Sequence, residues 1–302
     1  MLRYVAAGID GSPESLAAAH WAAREAARRG TGLRLVHAWE WLPHSAPYVP
    51  AGMSQRQWAE EILERASSSV RAAHPELRVI DDLVSEPARD ALRTAAGQAE
   101  PLVLGSRGLG GLAGFLLGSV SRRVVAGSPG PVVLVRADGS CANEHLPVLD
   151  GVSPDEISAL PYRDIVLGID VGSPCDELIE FAFGTALRCG APLRAMHFFP
   201  ALPGQARADR LGEQPGPELL AEKEHALVAT LRPWCEKFPE VVVTETVAEG
   251  RAAGEMVRAS AGAALVVVGR RLREGRFGAH VGSVAHAVLH HARCPVAVVP
   301  HS

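Results

Sequence analysis

The chain has 302 residues, 47% of them apolar and 21% charged, with a net charge of −4. This balance excludes a disordered chain and the strongly basic face of a nucleic-acid binder, and the length suits two domains of ordinary size. Five cysteines without a C-x-x-C pair, an opening apolar run that stops at Asp10, and no stretch of eighteen apolar residues argue against a disulfide framework, a leader and a membrane span. The expectation is a cytoplasmic protein with reduced thiols.

In chain order, an apolar strand (4–9) leads into an Ala-rich helix (13–29), with Ser12 as N-cap and Pro13 in the first turn. A second strand (33–39), a proline-rich loop (42–52), a polar-faced helix (54–73), a strand (77–84), a helix (87–98) and a strand (101–104) follow. The stretch GSRGLGGLAGFLLGSVS (105–121) comes next, then a helix (119–127) and a strand (131–136). A segment rich in Gly, Pro, Ser and Asp (138–162) reads as a linker. The second half runs strand 164–169, helix 174–188, strand 193–198, helix 217–237, strand 240–247, helix 251–262, strand 264–268, helix 282–292 and strand 295–299.

The halves are copies. YVAAGIDGSP (4–13) matches DIVLGIDVGSP (164–174), LVLG (102–105) matches VVVG (266–269), Gly118-Ser119-Val120 matches Gly282-Ser283-Val284, and PVVLVR (131–136) matches PVAVVP (295–300). Two domains follow, 1–137 and 163–302. Alternating helices and uniformly apolar strands predict an α/β fold: two tandem flavodoxin-like, Rossmann-like doubly wound domains, each a five-stranded parallel sheet flanked by helices. Ligands of such sheets bind beyond the carboxyl ends of the strands at the switch point, here between the first and fourth strands. Those strands end at Asp10 and Gly105.

Gly105 and Gly108 lie just past a strand end, and Gly118 and Ser119 open a helix nine residues later. Glycine brings an anion close to backbone N–H groups, and a helix start offers free N–H groups and a positive dipole end. Ser119 and Ser121 add hydroxyls. Two phosphate-grasping points on one loop imply a nucleotide tail. Asp10 either accepts from a ribose or base, or caps its own turn. Arg107 reads equally as a phosphate partner or a solvated charge.

The pattern Gly105-x2-Gly108-x9-Gly118-Ser119, with DGSPES (10–15), LVHAW (35–39) and PVVLV (131–135), resembles the nucleotide-binding signature of universal stress proteins, and the resemblance covers both copies. It implies an ATP site with Asp10, Ala38, Leu104 and Gly105 around the nucleoside, Ser106, Arg107 and Gly108 in the turn, and Gly118, Ser119 and Val120 at the phosphates. Mg²⁺ would travel with the triphosphate. The family implies nucleotide binding coupled to stress survival rather than turnover, and antiparallel pairing of the last strands of the two halves, with room for a further homodimer.

The second copy departs from the signature. Leu272 stands where the second glycine belongs, and Phe198 replaces Ala38, while Asp170, Gly269, Arg270, Gly282, Ser283 and Val284 retain the frame. Arg270, Arg271, Arg273 and Arg276 add positive charge. This copy is expected to hold a weaker, altered or empty site. No Walker lysine and no G-x-S-x-G elbow occur, so no catalytic base can be named. The alternatives are a nucleotide-independent interaction scaffold and a slow ATP hydrolase. His286, His290 and Cys294, spaced by four, read as surface and interface residues rather than a metal site.

Overall fold

The computed structural model describes residues 4–40, 49–50, 52–109, 112–116, 118–137, 144–146, 160–200, 217–272 and 281–301; side chains of 107–109, 112–116 and 217 are outside the description. The proline-rich loop thus lies largely outside the described residues, as do Arg273, Arg276 and most of the linker. Two compact units emerge.

The first unit contains β1 (Tyr4–Gly8), α1 (Pro13–Arg28), β2 (Leu33–Ala38), α2 (Gln55–Ala73), β3 (Val79–Val84), α3 (Ala88–Gln98), β4 (Ala99–Leu109), β5 (Leu112–Leu116), α4 (Ser119–Gly127) and β6 (Val132–Arg136). Its parallel strands run in the order β3-β2-β1-β4-β6, which sets the switch point between β1 and β4. The central strands are apolar throughout because helices cover both faces. Val5, Leu33, Leu35, Leu102, Val103 and Leu134 have no exposed surface. Helices α1 and α2 pack together on one face, and α3 and α4 on the other. Ser12 accepts the Ser15 N–H at 3.1 Å and Pro13 opens α1, as expected of an N-cap and a first-turn proline. The carboxylates Glu60, Glu61 and Glu64 of α2 all face solvent.

The second unit repeats the plan with β7 (Asp164–Gly168), α5 (Asp176–Cys189), β8 (Leu193–Phe199), α6 (Pro217–Lys237), β9 (Val243–Glu249), α7 (Ala252–Ala259), a 3₁₀ turn (Ser260–Gly262), β10 (Ala263–Arg271), α8 (Ser283–His291) and β11 (Val296–His301). Its parallel order is β9-β8-β7-β10-β11. Helix α5 ends on Gly190 at φ +60°, a left-handed C-cap. Linker residues Glu144–Leu146 belong to this unit: His145 bridges Tyr162, and Arg163 Nε donates to the His145 carbonyl at 2.7 Å.

The glycine stretch differs from its expected form. Strand four does not stop at residue 104. It continues to Leu109 and folds back onto β5 as an antiparallel pair, with Arg107 opposite Leu116 and Gly108 opposite Phe115. Backbone amides leaving a sheet need partners, and a hairpin supplies them locally. Glycine spacing carries no sign of this, because the same glycines serve a loop or a ladder.

Candidate functional site at the carboxyl edge of the strands

In the first unit the predicted residues lie on or just past β1, β2 and β4 and at the start of α4, with different side-chain roles. Asp10 is exposed just past β1, and its Oδ1 accepts from the N–H of Ser12 at 3.0 Å and from the Ser12 hydroxyl. It therefore caps its own turn while facing solvent. Ala38 is half-buried at the end of β2. Leu104 is buried in the core, its Cδ2 pressed over the bare backbone of Gly8, where a Cβ would stand 2.6 Å from it. Ser106 is also buried, and its Oγ donates to the Val135 carbonyl at 3.3 Å. Both side chains are thus used by the protein itself. Arg107 and Gly108 are strand residues of the β4–β5 hairpin, and their side-chain surroundings lie outside the description.

Gly105 has a structural reason to be glycine. A Cβ there would lie 2.5–2.7 Å from the backbone carbonyl of Glu14 and the nitrogen of Ser15. Its missing side chain lets the first turn of α1 sit directly on β4. The space its Cβ would take is filled by helix backbone.

Gly118 is different. It is exposed at φ −58°, it caps α4 without a side-chain hydrogen bond, and a Cβ there would meet nothing within 4 Å. The nine-residue helix α4 thus opens with uncapped N–H groups toward free space, flanked by exposed Ser119 and Val120 and half-buried Ser121. No positive φ is involved at Gly105 or Gly118; the positive-φ glycines described in this half are Gly11, Gly30 and Gly52.

The second unit holds a cavity of about 490 Å³ at the corresponding edge. Asp170, Gly269 and Val284, three positions expected at a second site, line it together with Phe198, Met196, Met256, Lys223, Arg271 and His301. Asp170 is exposed, and its Oδ1 accepts from the Gly172 N–H at 3.0 Å. Gly282 repeats Gly118: φ −59°, no side-chain cap, open space where a Cβ would stand. Ser283 beside it is exposed. Arg270 is buried like Ser106. At Gly269, however, the imidazole of His301 lies 2.9 Å and a Leu178 methyl 3.3 Å from the Cβ position. The Leu272 N–H donates to the His301 carbonyl at 2.6 Å, so the amide at the second-glycine position is engaged by the end of β11.

Sequence reasoning assigned no role to two equivalent histidines. His37 and His197 are buried at the ends of β2 and β8, and their Nδ1 atoms lie 2.7 and 3.1 Å from the carbonyls of Ile9 and Ile169. Each ties the second strand to the loop carrying the acidic residue. The available signal was their recurrence at one spacing in both copies. Lys223 and His301 left no signal, because only the fold brings α6 and the end of β11 to this edge.

The buried thiols offer no nucleophile. Burial pushes the Cys175 thiol up to about 11 and the Cys294 thiol to about 12, so both stay protonated near neutrality. His286 and His290 pack ring against ring at 4.4 Å on α8, whereas the Cys294 sulfur faces the Pro295 carbonyl in the core. Among the described residues no cluster of three metal-ligating side chains occurs, and no helix is long and apolar enough to cross a membrane.

Comparison with known proteins agrees with this architecture. A universal stress protein of Mycobacterium tuberculosis is 36% identical over 312 aligned positions, covering 99% of this chain and 97% of the relative. The crystal structure of a universal stress protein from Archaeoglobus fulgidus superposes with a TM-score of 0.64 at 18% identity, covering the whole of both chains. A universal stress protein solved in complex with cAMP covers 45% of this chain and 98% of its own at 26% identity, with a TM-score of 0.34. The model of the universal stress protein family matches residues 1–136 and again 161–300, and the chain belongs to that family.

Proposed function

We propose that this protein binds an adenine nucleotide, ATP, mainly through its first half, and acts in the cytoplasm as a regulatory, stress-adaptation module rather than an enzyme. The observation that carries this reading is the start of α4. Gly118 presents N–H groups that no described side chain caps, with open space where a Cβ would stand, and there a phosphate is stabilised by the helix dipole and by backbone amides. Asp10, Ala38, Ser119 and Ser121 surround the same edge with one carboxylate, one small side chain and two hydroxyls. Mg²⁺ accompanies the triphosphate, held chiefly by phosphate oxygens and water.

The test is direct. Purified protein is denatured and the supernatant chromatographed for adenine nucleotide; native protein is then incubated with ATP for hours and followed for ADP and AMP. The expected result is co-purifying or added nucleotide bound without turnover, and a loss of about tenfold or more in affinity for Gly118→Val, whose branched side chain fills the approach to the α4 amides. Absence of binding, or binding indifferent to Gly118→Val, rejects the reading in favour of a nucleotide-independent scaffold. Steady ADP formation makes the protein a slow hydrolase.

A further inference from the structure

The second half retains the frame of a site but changes what the site can hold. Its 490 Å³ cavity has the size of a small-molecule pocket. The floor is apolar: Ile169, Leu178, Met196, Phe199, Met256 and Val268 are all buried. Met256 lies against bare backbone, its Cε 2.9 Å from where a Gly168 Cβ would stand. Methionine is unbranched and polarisable, and a floor with two of them adapts to an apolar body of varied shape.

The charged lining is unbalanced in one direction. Among the described residues that line it, Lys223, Arg271 and His301 accompany one carboxylate, Asp170, and that carboxylate already accepts the Gly172 N–H. Arg271 places one N–H on the Ser173 hydroxyl at 3.3 Å, a neutral partner. Lys223 pairs with Glu222 at 3.1 Å, but Glu222 is 68% exposed, and such a surface pair yields readily to a better anion. The features a polyphosphate needs are reduced. The Gly269 surface is covered by His301 and Leu178, and the Leu272 amide is taken by the His301 carbonyl. An apolar floor under two cations and an imidazole matches a ligand with one anionic head and an apolar body.

We infer that the second half is a binding site for a small amphipathic anion, an apolar chain or ring carrying one carboxylate or phosphate, and not a second ATP site. The head is held by Arg271, Lys223 and His301, and the body lies on the Met196–Met256 floor. This assignment is independent of nucleotide binding by the first half.

The experiment is isothermal titration of the full-length protein with decanoate, with decanol as the uncharged counterpart, and with ATP. Two variants probe the site. Arg271→Gln with Lys223→Gln removes charge from exposed and half-buried positions. Ala252→Trp fills the cavity from the half-buried first turn of α7, leaving core side chains in place. Decanoate is expected to bind, decanol to bind at least about tenfold more weakly, and both variants to weaken decanoate by a similar factor, as loss of charge-assisted hydrogen bonds or of cavity volume requires. Thermal unfolding of each variant verifies that it is folded, and decyl phosphate in place of decanoate distinguishes the two head groups. The inference is overturned if decanoate does not bind up to about 1 mM, or binds the wild type and both variants alike. It is also overturned if ATP binds with a second equivalent that Ala252→Trp removes. The first-half reading is tested separately by Gly118→Val, so either can fail without the other.

Discussion

At Gly105 an added Cβ would run into the backbone of Glu14 and Ser15; at the equivalent Gly269 it would meet the ring of His301 and a methyl of Leu178. The two halves share a strand order and a glycine at the end of the fourth parallel strand, yet that glycine answers to different neighbours. In the first half α1 begins at Pro13 and its backbone rests on the strand. In the second half one extra residue, Val171, lengthens the loop, α5 begins later on a Cys175 cap, and side chains fill the gap instead. A glycine in a binding pattern can thus be required by a helix crossing overhead. At the helix start, by contrast, both halves leave open space where a Cβ would stand, at Gly118 and at Gly282.

The largest difference between the halves that a substitution should reveal lies in the first helix. Glu25 is 1% exposed and accepts from Arg28 Nη2 at 3.0 Å and Arg29 Nε at 2.5 Å. At the equivalent place in α5 stands Thr185, also buried, whose hydroxyl donates to the Phe181 carbonyl and accepts from Arg188 Nη2 at 3.1 Å. One half buries a carboxylate with two guanidinium partners, the other a self-satisfied hydroxyl. Glu25→Ala leaves two largely buried guanidinium groups without their anion and should destabilise the first half by about 3 kcal/mol. Glu25→Thr, which copies the second half, should be milder. Urea unfolding followed by half-specific hydrogen exchange measures both, and equal losses would show that the hydroxyl solution does not transfer.

The next effect sharpens the glycine comparison. Gly105→Ala forces the α1 backbone away from β4 and should cost about 2–3 kcal/mol as an overpacking change. Gly269→Ala meets a histidine ring and a leucine methyl, which rotate, and should cost about 1 kcal/mol or less. If the two alanines destabilise equally, helix backbone is not what holds residue 105 as glycine.

Much of this was legible in the residues. Apolar runs such as YVAAG and LRLVHA could only be central parallel strands, and the repeated Gly-Ile-Asp placed an acidic residue at the end of the first strand of each half. The Ser12 cap and the Pro13 start followed from local chemistry. The β4–β5 hairpin did not, because its partner residues are glycines and apolar residues equally suited to a loop. The fate of Leu104 and Ser106 was hidden for a related reason: along a strand successive side chains face opposite layers, so these two share one, and whether that layer is core or ligand site is a property of the assembled sheet. The cationic lining of the second cavity needed the fold, since Lys223 and His301 are 78 positions apart in the chain.

The smallest predicted difference concerns acid. In the first half His20 and His74 face each other across α1 and the end of α2, ring centroids 6.3 Å apart, with His20 Nε2 3.0 Å from the Ser69 hydroxyl. Burial holds both imidazoles below their ordinary range; for His20 the neighbouring His74 and Arg24 add to it, and for His74 Arg24 does. In the second half Glu180 occupies the place of His20 and pairs with Lys237 at 2.6 Å, more than half exposed on both sides. For a base whose folded-state pKa is depressed, the unfolded chain takes up protons first. The stability from the neutral pair is therefore complete above about pH 6.5 and declines as pH falls from there toward the folded-state values. Between pH 7 and pH 5 the first half should lose protection against hydrogen exchange while the second half, which has the Glu180–Lys237 pair in place of these imidazoles, changes less. Replacing both histidines with glutamine should flatten the first half's profile. A first half that keeps its protection at pH 5, or an unchanged slope in the double variant, would show that these rings do not set the acid sensitivity of the α1–α2 contact.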